Sequence, residues 1–371
     1  MRIAYMLTSL GIGGAEKQAI AIGERMAARG HDVALIVLRP PEEHEWPTKL
    51  TVIYLGINKS LPSVVSGVMH ARRVFHSFNP HLLHSHTFPA NMMARTLHAI
   101  GAVPAVLSTI HNVYEGGRHR TLAYRMTDPF STLSTAVSQA VADRYIEIRA
   151  VPRCKCSVIS NGIDTDLFSP SQRRTSQPTG TECRQKNFVW LAAGRDVAAK
   201  DFDNLLTAFR KIRAENSNTE LRIAGKPANH RSLETYDGAG VRWLGLCKDM
   251  PGTMAACDAF VLSSAWEGMP LIVGEAMAMQ KPVVATDVGG VRELVGSTGI
   301  LVRPKDPDML YQAMLRIMGA AQEDRESLGR AARKRICDSF DMNAKADEWE
   351  SLYARILRDA DNAVAMQHVI T

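Results

Sequence analysis

The fold is decided most clearly by residues 258–286, which read DAFVLSSAWEGMPLIVGEAMAMQKPVVAT. A short apolar run at 260–263 predicts a buried strand, residues 270–280 predict a helix, and residues 283–286 predict a second strand. Pro270 suits the first turn of that helix, because its missing N–H would have no intrahelical partner there. Strand, helix and strand in this order are typical of a parallel β/α/β unit.

The same alternation of short apolar runs and longer amphipathic segments extends along the whole chain. At the N-terminus a predicted strand leads through a glycine-rich turn into a helix whose Ala15, Ala19, Ile22 and Met26 share one face. That helix is predicted to end at Gly30, because glycine is favoured just past a helix C-terminus. Outside residues 258–286, the predicted strands are 3–7, 33–38, 52–55, 82–86, 106–110, 135–138, 158–160, 188–193, 221–224, 241–244 and 300–302. Further helices are predicted at 202–214 and from 307 to about 357.

Two domains are expected, because 371 residues exceed the ~250–300 at which one hydrophobic core stops growing. The alternation restarts at residue 188, after a stretch at 169–187 whose polar, aperiodic composition predicts an exposed loop. We therefore predict an α/β protein with two Rossmann-like domains, residues 1–165 and 166–345, which face each other across a cleft that holds the active site. Residues 346–371 are predicted to form a C-terminal helix, packed back toward the N-terminal domain, and a tail.

Composition and charge limit the classes of protein. The chain is 46% hydrophobic and 22% charged, and its uncharged stretch at residues 96–114 holds too many polar residues for a transmembrane helix. The N-terminus lacks the long apolar region of a signal peptide, so a cytoplasmic location is expected. The net charge of +6 lies mainly in residues 1–168, with 17 Lys and Arg against 12 Asp and Glu. This excess suits an anionic membrane or a lipid phosphate, whereas no basic run indicates nucleic acid.

Glu267 and Glu275 flank the start of the predicted helix at 270. Because the carboxyl ends of parallel strands open onto a ligand crevice, the free amides of the first helical turn would form an anion site there. A carboxylate on each side suits a ligand with hydroxyls at both ends and phosphate in the middle, such as a nucleotide-sugar. The spacing alone also allows a loop glutamate and an exposed helix glutamate without function.

Arg195 and Lys200 follow the predicted strand 188–193 and Gly194. Arginine offers a two-pronged fork of donors and lysine a point charge, which together suit a diphosphate. Charges in a strand-to-helix loop are also common surface features. The functional interpretation therefore depends on Glu267 and Glu275 lying at the same sheet edge.

These motifs resemble those of glycosyltransferase family 4, a family of retaining enzymes with the GT-B fold, and the resemblance covers nearly the whole chain. In the C-terminal half it is carried by Gly194-Arg195, Lys200-Asp201, Leu221-Arg222-Ile223-Ala224-Gly225, Glu267 to Glu275, Asn161-Gly162-Ile163-Asp164 with Phe168, Asp258, Lys281 to Thr286, and Gly289-Gly290. In the N-terminal half it is carried by Gly13-Gly14-Ala15-Glu16, His84-Ser85-His86 and Thr109-Ile110-His111.

The resemblance implies that the C-terminal domain binds a nucleotide-sugar and the N-terminal domain an acceptor. Glu275 would bind the ribose hydroxyls and Glu267 the hydroxyls of the sugar, while Arg195 and Lys200 neutralise the diphosphate. The backbone of Gly194 and of the turn Gly268-Met269-Pro270-Leu271 would assist them. The implied mechanism is front-face substitution, in which the leaving phosphate accepts the acceptor's proton and no protein nucleophile is needed.

In the N-terminal half, Gly13 and Gly14 fall in the first strand-to-helix turn, where the missing side chains let a phosphate or an acceptor approach closely. A dehydrogenase is disfavoured, because the G-x-G-x-x-G spacing is absent and the second strand ends in Arg39 rather than in an acidic ribose ligand. A lone histidine at a strand end, such as His111, is more often structural. The resemblance instead gives His111 a contact with the donor sugar.

No metal or other cofactor is expected. His84 and His86 point to one face of a strand, but no carboxylate or cysteine lies near them in sequence, so we favour a structural or loop-positioning role for His86. The Asp-x-Asp triplets at 164–166, 201–203, 306–308 and 359–361 are interpreted mostly as helix caps and first turns rather than metal sites. The six cysteines lack the paired spacing of a zinc site and are expected to be reduced, scattered thiols.

The sequence thus predicts a metal-independent hexosyltransferase that uses a nucleotide-sugar, UDP favoured over GDP, and a glycan or lipid-linked acceptor. Cell-surface synthesis of lipopolysaccharide or exopolysaccharide is the expected setting. Residues 64–78, with Val64, Val68, Ala71 and Phe75 on one helical face, and residues 113–125 are candidates for peripheral contact with an anionic membrane, although such faces more often pack into a core. The alternatives are a nucleotide-sugar epimerase or hydrolase of the same fold, and a non-catalytic nucleotide-sugar-binding subunit.

Overall fold

The computed structural model describes residues 1–58, 60–171, 187–226 and 240–370, and the chain divides into two units. Unit 1 comprises Met1–Gly162 and Met342–Thr371, and unit 2 comprises Ile163–Asp341. The first change of unit follows residue 162 rather than 165, because the amide of Ile163 already donates to the carbonyl of Phe340 at 2.7 Å. The second follows residue 341 rather than 345. Most of the predicted loop at 169–187 lies outside the described residues.

Unit 1 contains seven strands: β1 (Arg2–Leu7), β2 (Asp32–Val37), β3 (Thr51–Tyr54), β4 (Leu82–His86), β5 (Val106–Ile110), β6 (Leu133–Ala136) and β7 (Cys156–Val158). Its helices up to β7 are α1 (Gly14–Ala28), α2 (Leu61–Phe78), α3 (Phe88–Ala99), α4 (Arg118–Thr127) and α5 (Gln139–Glu147). The strands form one parallel sheet in the order β3-β2-β1-β4-β5-β6-β7.

Unit 2 contains six described strands: β8 (Phe188–Ala193), β9 (Thr219–Ala224), β10 (Val241–Gly245), β11 (Ala259–Leu262), β12 (Val283–Thr286) and β13 (Ile300–Val302). Its described helices are α6 (Phe202–Glu215), α7 (Met250–Ala255), α8 (Leu271–Ala278), α9 (Val291–Val295), α10 (Pro307–Gly319) and α11 (Gln322–Ser339). Its parallel sheet has the order β10-β9-β8-β11-β12-β13. The last helix, α12 (Met342–Ile370), belongs to unit 1.

Both sheets are buried by helices on their two faces. In unit 1, one face packs against α1 and α12, where Tyr5, Leu107 and Trp349 belong to one core, and the other packs against α2 and α3. Ala19, Ile22 and Met26 are buried in the first core, as the periodicity of α1 predicts, whereas Ala15 is only partly buried. Parallel strands covered on both faces read as continuous apolar runs, which explains why the predicted and observed strands agree closely.

In each sheet there is one point at which the order of strand addition reverses, so that successive strands are added on opposite sides of it. In unit 2 that point lies between β8 and β11, and in unit 1 it lies between β1 and β4. At such a point the loops leaving the two neighbouring strands diverge and open a crevice at their carboxyl ends. The loops after β8 and β11 contain Lys200 and Glu267, so the topology of unit 2 brings them to one place.

Candidate active site

An ion pair joins the loops that follow β8 and β11. The Nζ atom of Lys200 donates a hydrogen bond to Oε1 of Glu267 at 2.6 Å, and the hydroxyl of Ser264 donates to the same oxygen at 2.7 Å. The amide of Ala265 also donates to the carbonyl of Ala199 at 2.8 Å. The predicted cation and carboxylate therefore meet, although they are 67 residues apart in sequence. Ser264 was missed by the sequence analysis; its position directly after a buried strand was the available signal.

The pair is shielded from water but retains binding capacity. The side chains of Lys200 and Glu267 are 20% and 10% exposed, so salt screens their interaction less than that of a surface pair. An ammonium has three donors, and one bond to Glu267 leaves two of them. Within the described part of the chain, Oε2 of Glu267 accepts no hydrogen bond. Both groups can therefore bind further ligand atoms while remaining paired.

Two glycines allow neighbouring backbone to press against these loops. Gly289 has φ +52°, and a Cβ atom there would lie 2.0 Å from the carbonyl oxygen of Glu267. Gly225 has φ +154°, and its Cβ would lie 2.0 Å from the carbonyl oxygen of Gly194. A side chain at either position would displace a site loop. This close approach explains why glycine is needed at both positions.

Helix α8 begins directly after the Glu267 loop. Pro270 is its N-cap residue, with an extended backbone, rather than a first-turn residue as predicted, and its side chain makes no capping hydrogen bond. The first amides of a helix lack intrahelical partners, so an uncapped start attracts anions. Met269 and Leu271 bury their side chains. Any contact that they make with a ligand would therefore be through the backbone.

Glu275 lies in the second turn of α8 and is only 4% exposed. Glu275 is therefore not an exposed helix residue, as the alternative interpretation assumed. Burying a carboxylate is costly unless it is hydrogen-bonded, and glutamate is rarely found fully buried without a partner. A hydrogen-bonding partner is therefore expected for the carboxylate of Glu275.

Arg195 is not part of the ion pair. Its side chain is exposed, and the structure records no ion pair between it and any described residue. Its carbonyl accepts a hydrogen bond from the amide of Val197 at 2.9 Å, within the loop after β8. The sequence analysis assigned Arg195 and Lys200 together to the diphosphate, but only Lys200 is anchored.

In unit 1, Gly13 is the N-cap residue of α1 and Gly14 its first residue. Gly13 has an extended backbone with φ −151°, which any residue adopts. A Cβ atom there would lie 2.2 Å from Oε2 of Glu16, the end of a flexible side chain. Glycine at this position therefore keeps the space before α1 open rather than permitting a special turn.

His111 follows β5 and bonds to the last residue of β4. Its Nε2 atom lies 2.9 Å from Nδ1 of His86. Burial lowers the pKa of His111 to about 3, so the imidazole is neutral at physiological pH. The amide of His111 donates to Oε1 of Glu115 at 3.3 Å, and the hydroxyl of Tyr124 donates to Oε2 at 2.9 Å. Burial raises the pKa of Glu115 to about 7, a feature that no local motif signalled.

His84 is occupied by the protein itself. Its Nδ1 and Nε2 atoms lie 2.7 Å from the hydroxyls of Tyr353 and Thr109, respectively. Both ring nitrogens are used, so His84 cannot bind a metal without losing one of these bonds. Among the described residues, no group of three His, Cys, Asp or Glu side chains is arranged to hold a metal ion.

Two sequence families match the chain. Residues 187–320 match the glycosyl transferases group 1, and residues 12–167 match Glycosyltransferase Family 4, which together amount to more than half of the chain.

The chain belongs to glycosyltransferase family 4.

Individual proteins agree with this assignment. The glycosyltransferase is 25% identical over 292 residues to the UDP-Gal:alpha-D-GlcNAc-diphosphoundecaprenol alpha-1,3-galactosyltransferase of Escherichia coli, over 73% of this chain and 74% of that one. The structure of sucrose-phosphate synthase from Thermosynechococcus elongatus matches with a TM-score of 0.82 and 20% identity, over 96% and 99% of the two chains. The structure of Anabaena HepE in complex with UDP-glucose matches with a TM-score of 0.78 and 21% sequence identity, over 95% of this chain and 99% of that one. The fold is therefore GT-B, as predicted.

Three of the Asp-x-Asp triplets of this glycosyltransferase have local roles. Asp164 and Asp306 accept hydrogen bonds from the amides of Leu167 and Met309 at 2.9 and 3.0 Å, as capping residues do. Asp201 occupies the N-cap position of α6, although its side chain makes no capping hydrogen bond. In the fourth triplet, the side chains of residues 360 and 361 lie outside the described part of the structure.

Of the two membrane candidates, the apolar face at residues 64–78 packs into the core, which the sequence analysis gave as the more frequent outcome. In α2, the face with Ala71 and Phe75 packs into the core of unit 1, so it is unavailable to lipid. Instead Leu61, Val65 and Met69 are 75%, 53% and 53% exposed on another side of the helix. Within the described residues, no helix is both long and apolar enough to cross a membrane.

Proposed function

We propose that this protein is a retaining, metal-independent hexosyltransferase that uses a UDP-sugar and a glycan or lipid-linked acceptor in cell-surface polysaccharide synthesis. The observation that carries the proposal is the 2.6 Å pair of Lys200 and Glu267 at the crossover of the unit 2 sheet, beside the uncapped start of α8. A fixed cation, a carboxylate and an anion-binding helix start suit a diphosphate attached to a sugar.

Each residue then has a role in binding the donor. Lys200 and the first amides of α8 contact the diphosphate, and the free oxygen of Glu267 accepts from a sugar hydroxyl. Glu275 accepts from the ribose, and His111 contacts the sugar that is transferred. Arg195, which is exposed and unpaired among the described residues, approaches the diphosphate when the donor binds.

In the proposed reaction the bond between the sugar's anomeric carbon and the phosphate oxygen breaks, and its electron pair stays on that oxygen. The acceptor hydroxyl bonds to the same face of the anomeric carbon and gives its proton to the leaving phosphate. Negative charge therefore grows on the diphosphate as the reaction proceeds. Donors held in place before the reaction stabilise such charge without reorganisation.

A uridine donor is favoured by the relatives. The Escherichia coli relative is named for UDP-Gal and for a diphosphoundecaprenol acceptor, and HepE was solved with UDP-glucose. These names support a UDP-sugar and a lipid-linked glycan for this chain too.

The function is tested by calorimetric titration with UDP, GDP and ADP, each with and without EDTA, followed by assays of the corresponding sugar conjugates. We expect UDP to bind tightest and its affinity and turnover to survive EDTA, because Lys200 and α8 supply the positive charge that a metal would otherwise bring. Complete loss in EDTA that is restored by manganese or magnesium contradicts metal independence. Consumption of donor without acceptor indicates a hydrolase or epimerase instead.

We also propose that unit 1 contacts the cytoplasmic face of an anionic membrane through α2. Leu61, Val65 and Met69 form an exposed strip with a spacing of four residues, Arg72 and Arg73 lie exposed on the same helix, and α2 contains no acidic residue. Exposed apolar side chains beside basic ones are typical of helices that lie in the membrane interface. A lipid-linked acceptor would be reached from that position.

Replacing Leu61, Val65 and Met69 together by glutamine is expected to lower partition onto vesicles containing phosphatidylglycerol by about tenfold or more, since even partial burial of three apolar side chains contributes more than ~1.4 kcal/mol. Vesicle co-sedimentation measures the effect. Met309→Gln, an exposed apolar residue of unit 2, is the matched control. Equal binding of the triple variant and the original chain contradicts the proposal.

A further inference from the structure

Two imidazoles meet at the carboxyl ends of β4 and β5. Nδ1 of His86 lies 2.9 Å from Nε2 of His111, which is hydrogen-bonding distance. His86 is 0% exposed, and its other nitrogen, Nε2, has no hydrogen-bond partner among the described residues. The ring of His84 lies against it with centroids 4.1 Å apart, and Tyr5 stacks at 6.1 Å. The orientation of the His86 ring is therefore fixed by packing.

Both imidazoles are neutral. Burial lowers the pKa of His86 well below its ordinary value, and it lowers that of His111 to about 3. A neutral imidazole carries one proton, so the bond between Nδ1 of His86 and Nε2 of His111 needs a proton from one ring or the other. The two arrangements differ in what the second nitrogen of each ring presents.

In one arrangement the shared proton belongs to His111, so His86 carries its own proton on Nε2, as a buried N–H without an acceptor. In the other, the shared proton belongs to His86, and its Nε2 is a bare lone pair. Buried N–H groups without an acceptor are rarer than unused acceptors. The second arrangement is therefore favoured.

We propose that His86 is a positioning residue that donates from Nδ1 to Nε2 of His111 and so keeps the proton of His111 on Nδ1. His111 then presents a neutral N–H to an oxygen of the bound sugar donor; this step rests on the proposed function. Nδ1 of His111 has no hydrogen-bond partner among the described residues, so it is available for that contact. Which nitrogen of a histidine donates is commonly set by the bond that the other nitrogen makes.

The contacts of His84 help to hold the His86 ring in its orientation. His84 uses both ring nitrogens for Tyr353 and Thr109, and the hydroxyl of Tyr353 lies 2.9 Å from that of Tyr5. This bonded cluster fixes the rings on either side of His86. The sequence analysis favours a structural or loop-positioning role for His86, and the proposal names Nδ1 as the atom through which it acts.

The tautomer is measured directly by nitrogen NMR on protein labelled with 15N-histidine, with His111→Gln used to assign the signals. We expect Nδ1 of His111 to be protonated and Nε2 to be unprotonated in the unmodified protein. The reverse pattern, or a doubly protonated His111 at neutral pH, overturns the proposal. This measurement needs neither a variant at position 86 nor a known substrate.

Two substitutions test the consequence for turnover. The amide of His86→Asn can donate from the place of Nδ1, whereas His86→Leu cannot donate at all. We expect His86→Asn to keep turnover within about threefold. We expect His86→Leu to lose about 10- to 100-fold in kcat with a smaller change in the donor KM, as when partners that orient a functional histidine are removed. Equal losses in both folded variants overturn the positioning role.

Failure of the proposed function is recognised separately. If the unmodified protein neither binds UDP nor transfers sugar, the donor assignment fails, while the tautomer of His111 still stands or falls on the NMR result. If both variants at position 86 fail to fold, the NMR measurement on the unmodified protein alone decides.

Discussion

Lys200→Ala is expected to lower turnover by about a hundredfold or more, which is the usual cost of removing one electrostatic donor from an active site. The reason is that charge on the leaving diphosphate grows as the glycosidic bond breaks. A cation beside it then interacts more strongly with the transition state than with the bound donor. Donor affinity should therefore fall by less than turnover does. Steady-state rates and calorimetric donor affinity, measured with the same acceptor, separate the two effects.

The ion pair requires a control for folding. Lys200→Ala leaves the carboxylate of Glu267, only 10% exposed, without its cation. Removing one partner of a shielded pair is more destabilising than replacing both. The double variant Lys200→Ala with Glu267→Gln should therefore regain thermal stability without regaining turnover. Recovery of turnover in the double variant would mean that the loss came from misfolding.

Arg195→Ala is the matched comparison for the same loop. Arg195 is exposed and has no ion pair among the described residues, so its removal should leave stability unchanged. If Lys200→Ala changes only donor affinity, Lys200 is a binding residue. The main electrostatic role then passes to Arg195 and the start of α8.

Much of the fold was readable from local pattern. Every described strand overlaps a predicted one, because strands of a parallel sheet buried on both faces appear as short apolar runs. The β11–α8–β12 unit was the clearest case. The bounds of α8 were predicted less accurately. The helix begins at Leu271 rather than at 270 and ends at Ala278 rather than at 280, because terminal turns depend on their surroundings.

The site was predicted only as a set of residues at one sheet edge. The crossover rule brings the loops after β8 and β11 together, but it does not say which side chains pair. The sequence analysis assigned both Arg195 and Lys200 to the diphosphate. In the structure Lys200 is anchored by Glu267, whereas Arg195 is exposed. Likewise, the spacing of His84 and His86 showed a shared face, whereas the bond between His86 and His111 depends on the register between β4 and β5.

The burial of one apolar face of α2 has a general cause. An apolar stripe with helical period is what a core selects, so Val64, Val68, Ala71 and Phe75 mark the inward face. The exposed residues Leu61, Val65 and Met69 form a second stripe on the same helix. The sequence analysis named only the first stripe, and the structure shows that this stripe is covered and that the second is exposed.

Glu275→Ala is expected to have the opposite kinetic signature to Lys200→Ala. Hydrogen bonds from ribose hydroxyls to a carboxylate contribute roughly 1.5–3 kcal/mol, so nucleotide affinity should fall by about 10- to 150-fold. The ribose lies far from the breaking bond and feels little change in charge. Turnover at saturating donor should therefore remain close to that of the unmodified protein, because an interaction of equal strength in ground and transition states changes KM and not kcat.

The burial of Glu275 makes its controls informative. Glu275→Gln preserves the shape and one acceptor oxygen within α8, so it should keep more affinity for UDP than Glu275→Ala while restoring the packing. Glu323→Ala, which removes an exposed carboxylate in the first turn of α11, should change neither. Calorimetry with UDP, and with uracil as a ligand that lacks ribose, then locates the contact: the two Glu275 variants should bind uracil as the unmodified protein does. If Glu275→Ala is folded and binds UDP with unchanged affinity, the carboxylate does not contact the ribose, and its burial in the second turn of α8 serves the stability of unit 2 instead.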